Sequence, residues 1–422
     1  MRIIVYGINF YPELTGIGKY TGEMVEWLAK QGHQVRVITA PPYYPEWRVL
    51  DGYSPFSWKM SWWNGAKIFR CPLWVPQKPM FISRILHLFS FAFSSFPILL
   101  GQLFWRPQII WVVEPSIFCT PFALGLARLC GAKTWLHVQD FEIDAAFSLG
   151  MVRIGVAKKI ALWMEAALMK RFDIVSSISN RMLEHAKLKG VPAGRLNLFP
   201  NWVNFGSNQV AEVVDDSDLL KYSSSVMYRK KLGIPSDSII ILYSGNMGAK
   251  QGLEILAEVA NLFCKRNDIE GHLRFVFCGS GAYRASLYAQ CMGLKNVNFL
   301  DLQPAESLSD FLAMADIHIL PQRADVADLV MPSKLSGIFA SGRPVLVCAN
   351  LQTELAEVVC SRGLVVPPEN VEALYAGLVK LAQDANLRKT LGAAAKKYAL
   401  ENLEKNNVLC KFEKQLYHLV GK

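Results

Sequence analysis

The nine cysteines of this 422-residue chain are scattered, with no C-x-x-C pair and no Cys/His cluster at zinc spacing. That excludes a disulfide scaffold and a zinc module, and it suits reduced, mostly buried thiols in a cytosolic protein. No Ser-His-Asp or Cys-His signature is present. Charged residues make up only 19% against 52% hydrophobic, which excludes disorder and leaves apolar side chains for sizeable cores. The opening MRIIVYGINF lacks the signal-peptide layout of basic end, apolar stretch and small-residue cleavage site, and reads as a first strand. Acid is scarce in one half only. Through Pro200, 22 Lys and Arg face 12 Asp and Glu; from Asn201 onward there are 23 of each, so the whole +10 lies in the first half. Such asymmetry points one lobe at a polyanion, membrane phospholipid or nucleic acid, or else marks a solvated basic surface.

What is present is a regular alternation. Strand-like runs fall at 3–6, 34–39, 67–70, 109–113, 133–137 and 174–177, then at 239–243, 273–278, 297–300, 317–320, 344–348 and 364–366. Amphipathic helical stretches such as 22–31, 252–263 and 307–313 separate many of them. Short apolar strands alternating with helices predict parallel sheets covered on both faces, one doubly wound α/β domain per half. The polar stretch FGSNQVAEVVDDSDLLKYSSS, 205–225, makes a natural linker.

Ligands of such sheets bind at the carboxyl ends of the strands. Three βα junctions in the second half carry glycine, lysine or serine there. In ILYSGNMGAKQGLEIL, Gly245 ends a strand, Gly248 permits close approach, and Lys250 stands just before a helix whose N-terminus favours an anion. VFCGSGAYR places Gly279 and Gly281 after another strand. VMPSKLSGIFASGRPVL puts Ser333, a candidate N-cap, and Lys334 at a helix start. The spacing to lysine is wrong for a nucleotide P-loop, and Gln251 stands where that loop has its hydroxyl. Singly, each is equally an ordinary βα turn; together they favour a phosphate site.

These segments, with the opening Gly16-Ile17-Gly18 loop, resemble family 4 retaining glycosyltransferases of the GT-B fold over essentially the whole length. YPELTGIGKYTGEMVEWLAKQGHQVRVITAPPYYPEW, QDFEIDAAFSLG and LPQRADVADLVMPSKL are most similar to the colanic-acid fucosyltransferase group. The resemblance implies two Rossmann-like domains facing across a cleft. Residues 1–203 would form the acceptor-side domain, with helix 403–422 crossing back onto it, and 204–402 the nucleotide-sugar domain. It implies a donor diphosphate, GDP favoured, against Gly245, Asn246, Lys250, Gly281, Ser333 and Lys334, with Gly16 and Gly18 closing over it. His137, Gln139 and Asp140 would orient the acceptor or the sugar, and no metal or other cofactor would be needed. Departures are visible too: Asn246 stands where many members have Arg, Leu329 and Gly337 where many have Glu, and Gln139 where many have His. Asp325 and Asp328 lie just upstream of the first missing glutamate.

The run ILHLFSFAFSSFPILLGQLF, 85–104, carries no Asp, Glu, Lys or Arg and is long enough to span a bilayer, yet it lies between strands of one domain. A buried or interface-lying helix follows. RIGVAKKIALWMEAALMKRF adds a helix with Lys158, Lys159, Lys170 and Arg171 near its ends, suited to an anionic membrane surface. The expectation is a peripheral enzyme at the inner face of the cytoplasmic membrane, acting on a lipid-linked saccharide and not on nucleic acid. The alternatives are a nucleotide-sugar epimerase of GT-B-like fold and a non-enzymatic membrane-binding protein.

Overall fold

The computed structural model describes residues 1–13, 16–77, 80–114, 117–141, 155–205, 224–248, 251–266, 273–304, 307–324 and 332–421. Lys250, Asp325, Asp328, Leu329 and nearly all of the 205–225 stretch therefore lie outside the described residues. The chain divides into two compact units, Met1–Asn201 with Val408–Lys422, and Trp202–Asn407.

The first unit holds strands β1 (Arg2–Tyr6), β2 (Gln34–Thr39), β3 (Lys59–Trp63), β4 (Ala66–Arg70), β5 (Ile109–Glu114), β6 (Lys133–Val138), β7 (Ile174–Ser177) and β8 (Leu196–Leu198). They lie in the order β3-β4-β2-β1-β5-β6-β7-β8, parallel except for the β3–β4 hairpin. β5 is buried at all six positions, as a central parallel strand covered on both faces must be. Helices α1 (Gly16–Lys30), α2 (Phe81–Gly101), α3 (Thr120–Cys130), α4 (Gly155–Met169) and α5 (Asn180–Leu188) accompany the sheet. All the runs read from sequence are strands. The two that were not read, β3 and β8, are the sheet's outer edges, where one-sided burial leaves no continuous apolar signal.

The second unit holds β9 (Ile239–Ser244), β10 (Leu273–Cys278), β11 (Val297–Leu300), β12 (Ile317–Pro321), β13 (Val345–Cys348) and β14 (Gly363–Val366), all parallel, in the order β11-β10-β9-β12-β13-β14. Its helices are α6 (Ser224–Lys231), α7 (Glu254–Arg266), α8 (Arg284–Gln290), α9 (Leu308–Ala313), α10 (Lys334–Ala340), α11 (Glu354–Val359), α12 (Val371–Gln383) and α13 (Ala385–Asn402). The last helix, α14 (Lys405–Leu419), belongs to the first unit from Val408 on. Phe412 stacks on Phe199 with ring centroids 4.5 Å apart and meets Trp135 edge-on at 5.1 Å, while Glu413 pairs with His33 at 2.7 Å.

Each sheet reverses its winding once. The first does so between β1 and β5, the second between β9 and β12. At such a switch point the flanking crossovers run in opposite directions and leave a crevice beyond the strand ends. Gly16 and Gly18 follow β1, and Gly245 and Asn246 follow β9, so both glycine loops stand at switch points.

Candidate active site

In the second unit the loop after β9 is packed backbone to backbone against the loop after β10. Met247 donates to the Ser280 carbonyl at 2.8 Å, and Tyr283 donates to the Met247 carbonyl at 2.9 Å. This packing accounts for two of the glycines. A Cβ on Gly279, at φ +149°, would stand 1.9 Å from the Gly245 oxygen, and one on Gly281 would stand 2.4 Å from the Met247 oxygen. Gly281, expected to approach a phosphate, thus has a reason within the protein: it lets the two loops touch.

Gly245 has a different reason. A Cβ there, at φ +132°, would fall 2.3 Å from Cε of Lys334. The lysine side chain runs across the bare α-carbon and sets its ammonium 4.3 Å from the centre of the Tyr243 ring. Nζ donates to the Tyr243 hydroxyl at 2.8 Å and reaches the Asn246 carbonyl at 3.5 Å; the tyrosine hydroxyl in turn donates to that carbonyl at 2.6 Å. All of these partners are neutral, and no carboxylate among the described residues pairs with Lys334. Desolvation pushes the ammonium down to about 8 from its ordinary 10.5. A hydrogen bond to a charged group returns about 1.5–3 kcal/mol. Taking an ion out of water costs several kcal/mol, of which this half-buried group meets a share. The cation is held in place without being neutralised, and an anion arriving at Gly245 would complete it.

The two helix starts carry less than the sequence promised. Ser333 occupies the N-cap of α10, but its side chain makes no capping hydrogen bond, and the helix is only seven residues long. α7 begins at Glu254, two residues later than expected, and that carboxylate already meets the positive end of its dipole. Lys250 lies outside the described residues.

In the first unit the switch point is built around a carboxylate the sequence did not advertise. Glu13 is buried; Oε1 accepts the amides of Tyr43 and Tyr44 at 3.0 and 3.1 Å, and Oε2 accepts the Asn9 side chain at 2.9 Å. Burial raises its pKa, opposed by these hydrogen bonds and by the charge of Arg70. Gly18 exists for this contact: a Cβ would lie 2.6 Å from Cβ of Glu13 and 2.7 Å from its Oε2. The α-carbon of Gly18 thus faces Glu13, whereas a Cβ on Gly16, at φ +58°, would meet the Tyr44 ring at 4.0 Å. Arg70 closes the loop by donating to the Ala40 carbonyl at 2.8 Å and to that of Tyr11. Burial raises the Tyr44 phenol, opposed by the charge of Arg84 and supported by those of Glu13, Asp140 and Glu46.

His137, Gln139 and Asp140 do come together at the end of β6. His137 is buried and stacks on Trp111 with centroids 5.4 Å apart. Gln139 donates one N–H to its Nε2 at 3.0 Å and the other to Asn201 Oδ1 at 3.2 Å. Nε2 is therefore the acceptor, and Nδ1–H donates to the Ser176 hydroxyl at 2.9 Å. Burial holds the imidazole neutral, with a pKa lowered to about 3. A ring so enclosed does not exchange protons with a substrate near neutrality; it fixes the amide of Gln139 and leaves Oε1 as an acceptor. His137 is expected from the sequence to orient the acceptor or the sugar; enclosed as it is, it holds the Gln139 amide, and Gln139 and half-buried Asp140 are the members nearer solvent.

Two family matches cover the two halves. Residues 15–202 match the Glycosyl transferase 4-like domain, and residues 227–398 match Glycosyl transferases group 1. The chain is a member of these glycosyltransferases. The enzyme is 44% identical to a putative colanic acid biosynthesis glycosyl transferase, WcaI, of Escherichia coli strain K12 over 420 residues, 98% of each chain. Among solved structures it resembles sucrose-phosphate synthase from Thermosynechococcus elongatus, with TM-score 0.70 at 17% identity over 99% of each chain. It also resembles Anabaena HepE in complex with UDP and glucose, with TM-score 0.67 at 12% identity over 99% of this chain and 100% of the other. At those identities the likeness is one of fold, and the fold of this glycosyltransferase is GT-B.

Proposed function

We propose that this glycosyltransferase moves a sugar from a nucleotide-sugar donor to a lipid-linked saccharide during assembly of a colanic-acid-type extracellular polysaccharide, with retention at the transferred carbon. The observation that carries the donor half is Lys334, a cation with only neutral partners among the described residues, lying across Gly245 at a switch point. As the sugar–phosphate bond breaks, charge gathers on the leaving diphosphate, and a preorganised cation lowers that barrier by about 3 kcal/mol, the usual scale for one electrostatic donor. Lys250 is proposed to add a second charge there. The acceptor hydroxyl attacks the face from which the diphosphate departs, and a phosphate oxygen takes its proton, so no protein nucleophile is required. Neutral His137 suits such a reaction, because Gln139 is held to accept a hydrogen bond from a sugar hydroxyl.

HepE, a relative by fold, was solved with UDP and glucose. The sequence resemblance favours a GDP-sugar, with fucose as the sugar. The test is to incubate the pure protein and a membrane extract with a panel of GDP-, UDP- and ADP-sugars and identify the nucleoside diphosphate released and the anomer formed. Release from a GDP-sugar with retained configuration supports the full reading. Inversion removes the mechanism, and release without any lipid-extractable product removes the acceptor. The site of action proposed is the inner face of the cytoplasmic membrane.

A further inference from the structure

Helix α2, whose one charged residue is Arg84 near its start, has two faces of different character. Phe91, Ser95 and Leu99 are buried, and the Ser95 hydroxyl lies 2.6 Å from that of Tyr6 on the central strand β1. The other face carries Ile82, Leu86, Phe89, Phe93, Phe96 and Leu100 at helical spacing, all exposed, with Phe93 at 64% and Phe104 just beyond at 91%. Next to it α3 contributes Phe118 from the turn before it, 4.1 Å from Phe89, and Phe122, 4.8 Å from Phe96. Trp58 lies along the helix, its indole donating to the Ser94 carbonyl at 2.8 Å, and Trp74 is held at the Ser90 hydroxyl; both rings are about half exposed. A contiguous aromatic face of this extent, rimmed by tryptophan, exceeds the scattered apolar exposure of an ordinary surface.

Arg106, just past the turn that follows α2, and Arg128, in the last turn of α3, are both exposed, and α3 packs on that turn. Neither guanidinium has an ion-pair partner among the described residues. We infer that this α2–α3 face docks on an anionic phospholipid bilayer, the aromatic stripe entering the acyl boundary and Arg106 and Arg128 meeting phosphate headgroups. Charge chooses this occupant over a second copy of the chain. A two-fold interface would set a basic face against itself, in the half that carries all +10 of net charge. Burial sets the depth. One side of α2 is committed to the sheet, so the helix lies in the plane of the interface and does not cross the membrane.

The test uses the full chain and sedimentation with vesicles of phosphatidylcholine alone or mixed with phosphatidylglycerol. The wild type is expected to bind the mixed vesicles more tightly. Phe93→Glu with Leu100→Glu should lose about tenfold or more, and Arg106→Ser with Arg128→Ser about fivefold per residue, with a shallower salt dependence. Thermal unfolding and nucleoside diphosphate affinity should match wild type in both variants, which shows that they fold. Wild type left in the supernatant with the mixed vesicles overturns the inference, as does a folded acidic variant that binds as well as wild type. A wild-type dimer that the acidic pair splits into monomers overturns it in favour of a second copy.

Discussion

The two switch points are built alike and charged oppositely. After β9 a glycine makes room for a lysine; after β1 a glycine makes room for a glutamate. In the second unit backbone packing crowds the site and Lys334 is held by neutral groups. In the first, Glu13 is tied down by two amides and an asparagine, and Arg70 anchors the loop around it. Topology therefore decides where each site lies, and one side chain decides its sign. A positive site suits a diphosphate. The buried carboxylate of the first site is spent on holding its own loop.

The comparison breaks most sharply at Gly279. Alanine there puts a Cβ 1.9 Å from the Gly245 oxygen at a φ of +149°. The strain of such a backbone position alone is about 1–3 kcal/mol, so the unit should lose at least about 3 kcal/mol once the clash is added. Urea unfolding measures this, and a variant as stable as wild type means that the two loops do not pack as described.

Lys334→Ala comes next. Turnover should fall about 10²-fold and nucleoside diphosphate should bind more weakly, while the fold is kept. Unchanged affinity by calorimetry removes the lysine from the site and with it the contrast in sign.

Glu13→Ala leaves the amides of Tyr43 and Tyr44 without their acceptor, at a cost of about 1–3 kcal/mol for each buried group. Glu13→Gln should recover most of it, since the Asn9 amide can turn to accept. Because burial raises the Glu13 pKa in the folded protein, its charged form is the disfavoured one. The stability of wild type relative to Glu13→Gln should be highest in acid and decline as pH rises through that raised value. A difference that grows with pH reverses the sign and contradicts the buried carboxylate.

The smallest effect is the pH dependence of donor binding. Lys334 is protonated below about 8 in the free protein, so nucleoside diphosphate affinity should fall as pH passes that value. The fall should approach about tenfold per unit between about 8 and the higher value the lysine takes beside a bound anion, where the free lysine has shed its proton and the bound one keeps it, and be absent in Lys334→Met. The stability of wild type relative to Lys334→Met should rise between about 8 and 10.5, where the unfolded lysine still holds its proton and the folded one has shed it. Flat profiles in both measurements assign the cation elsewhere.

The buried parallel strands, the two α/β units and the glycine loops after β1 and β9 were legible in the sequence. Unbroken runs of Val, Ile and Leu between amphipathic helices have few other ways to bury themselves. The basic character of the first half was equally legible, since charge is a sum over residues. What the glycines are for was settled by tertiary structure: Gly18 and Gly245 make room for Glu13 and Lys334, and Gly279 and Gly281 for neighbouring backbone, partners far from them in chain order for all but Gly18. Glu13 looked like any loop acid until Tyr43 and Tyr44, thirty and more residues away, brought their amides to it. His137 looked available until Trp111 and Phe199 closed over it. The period of apolar residues is a local property and is written in the chain. Enclosure, charge state and the partner of a side chain depend on residues that only folding brings near, and those decide which candidates can meet a substrate.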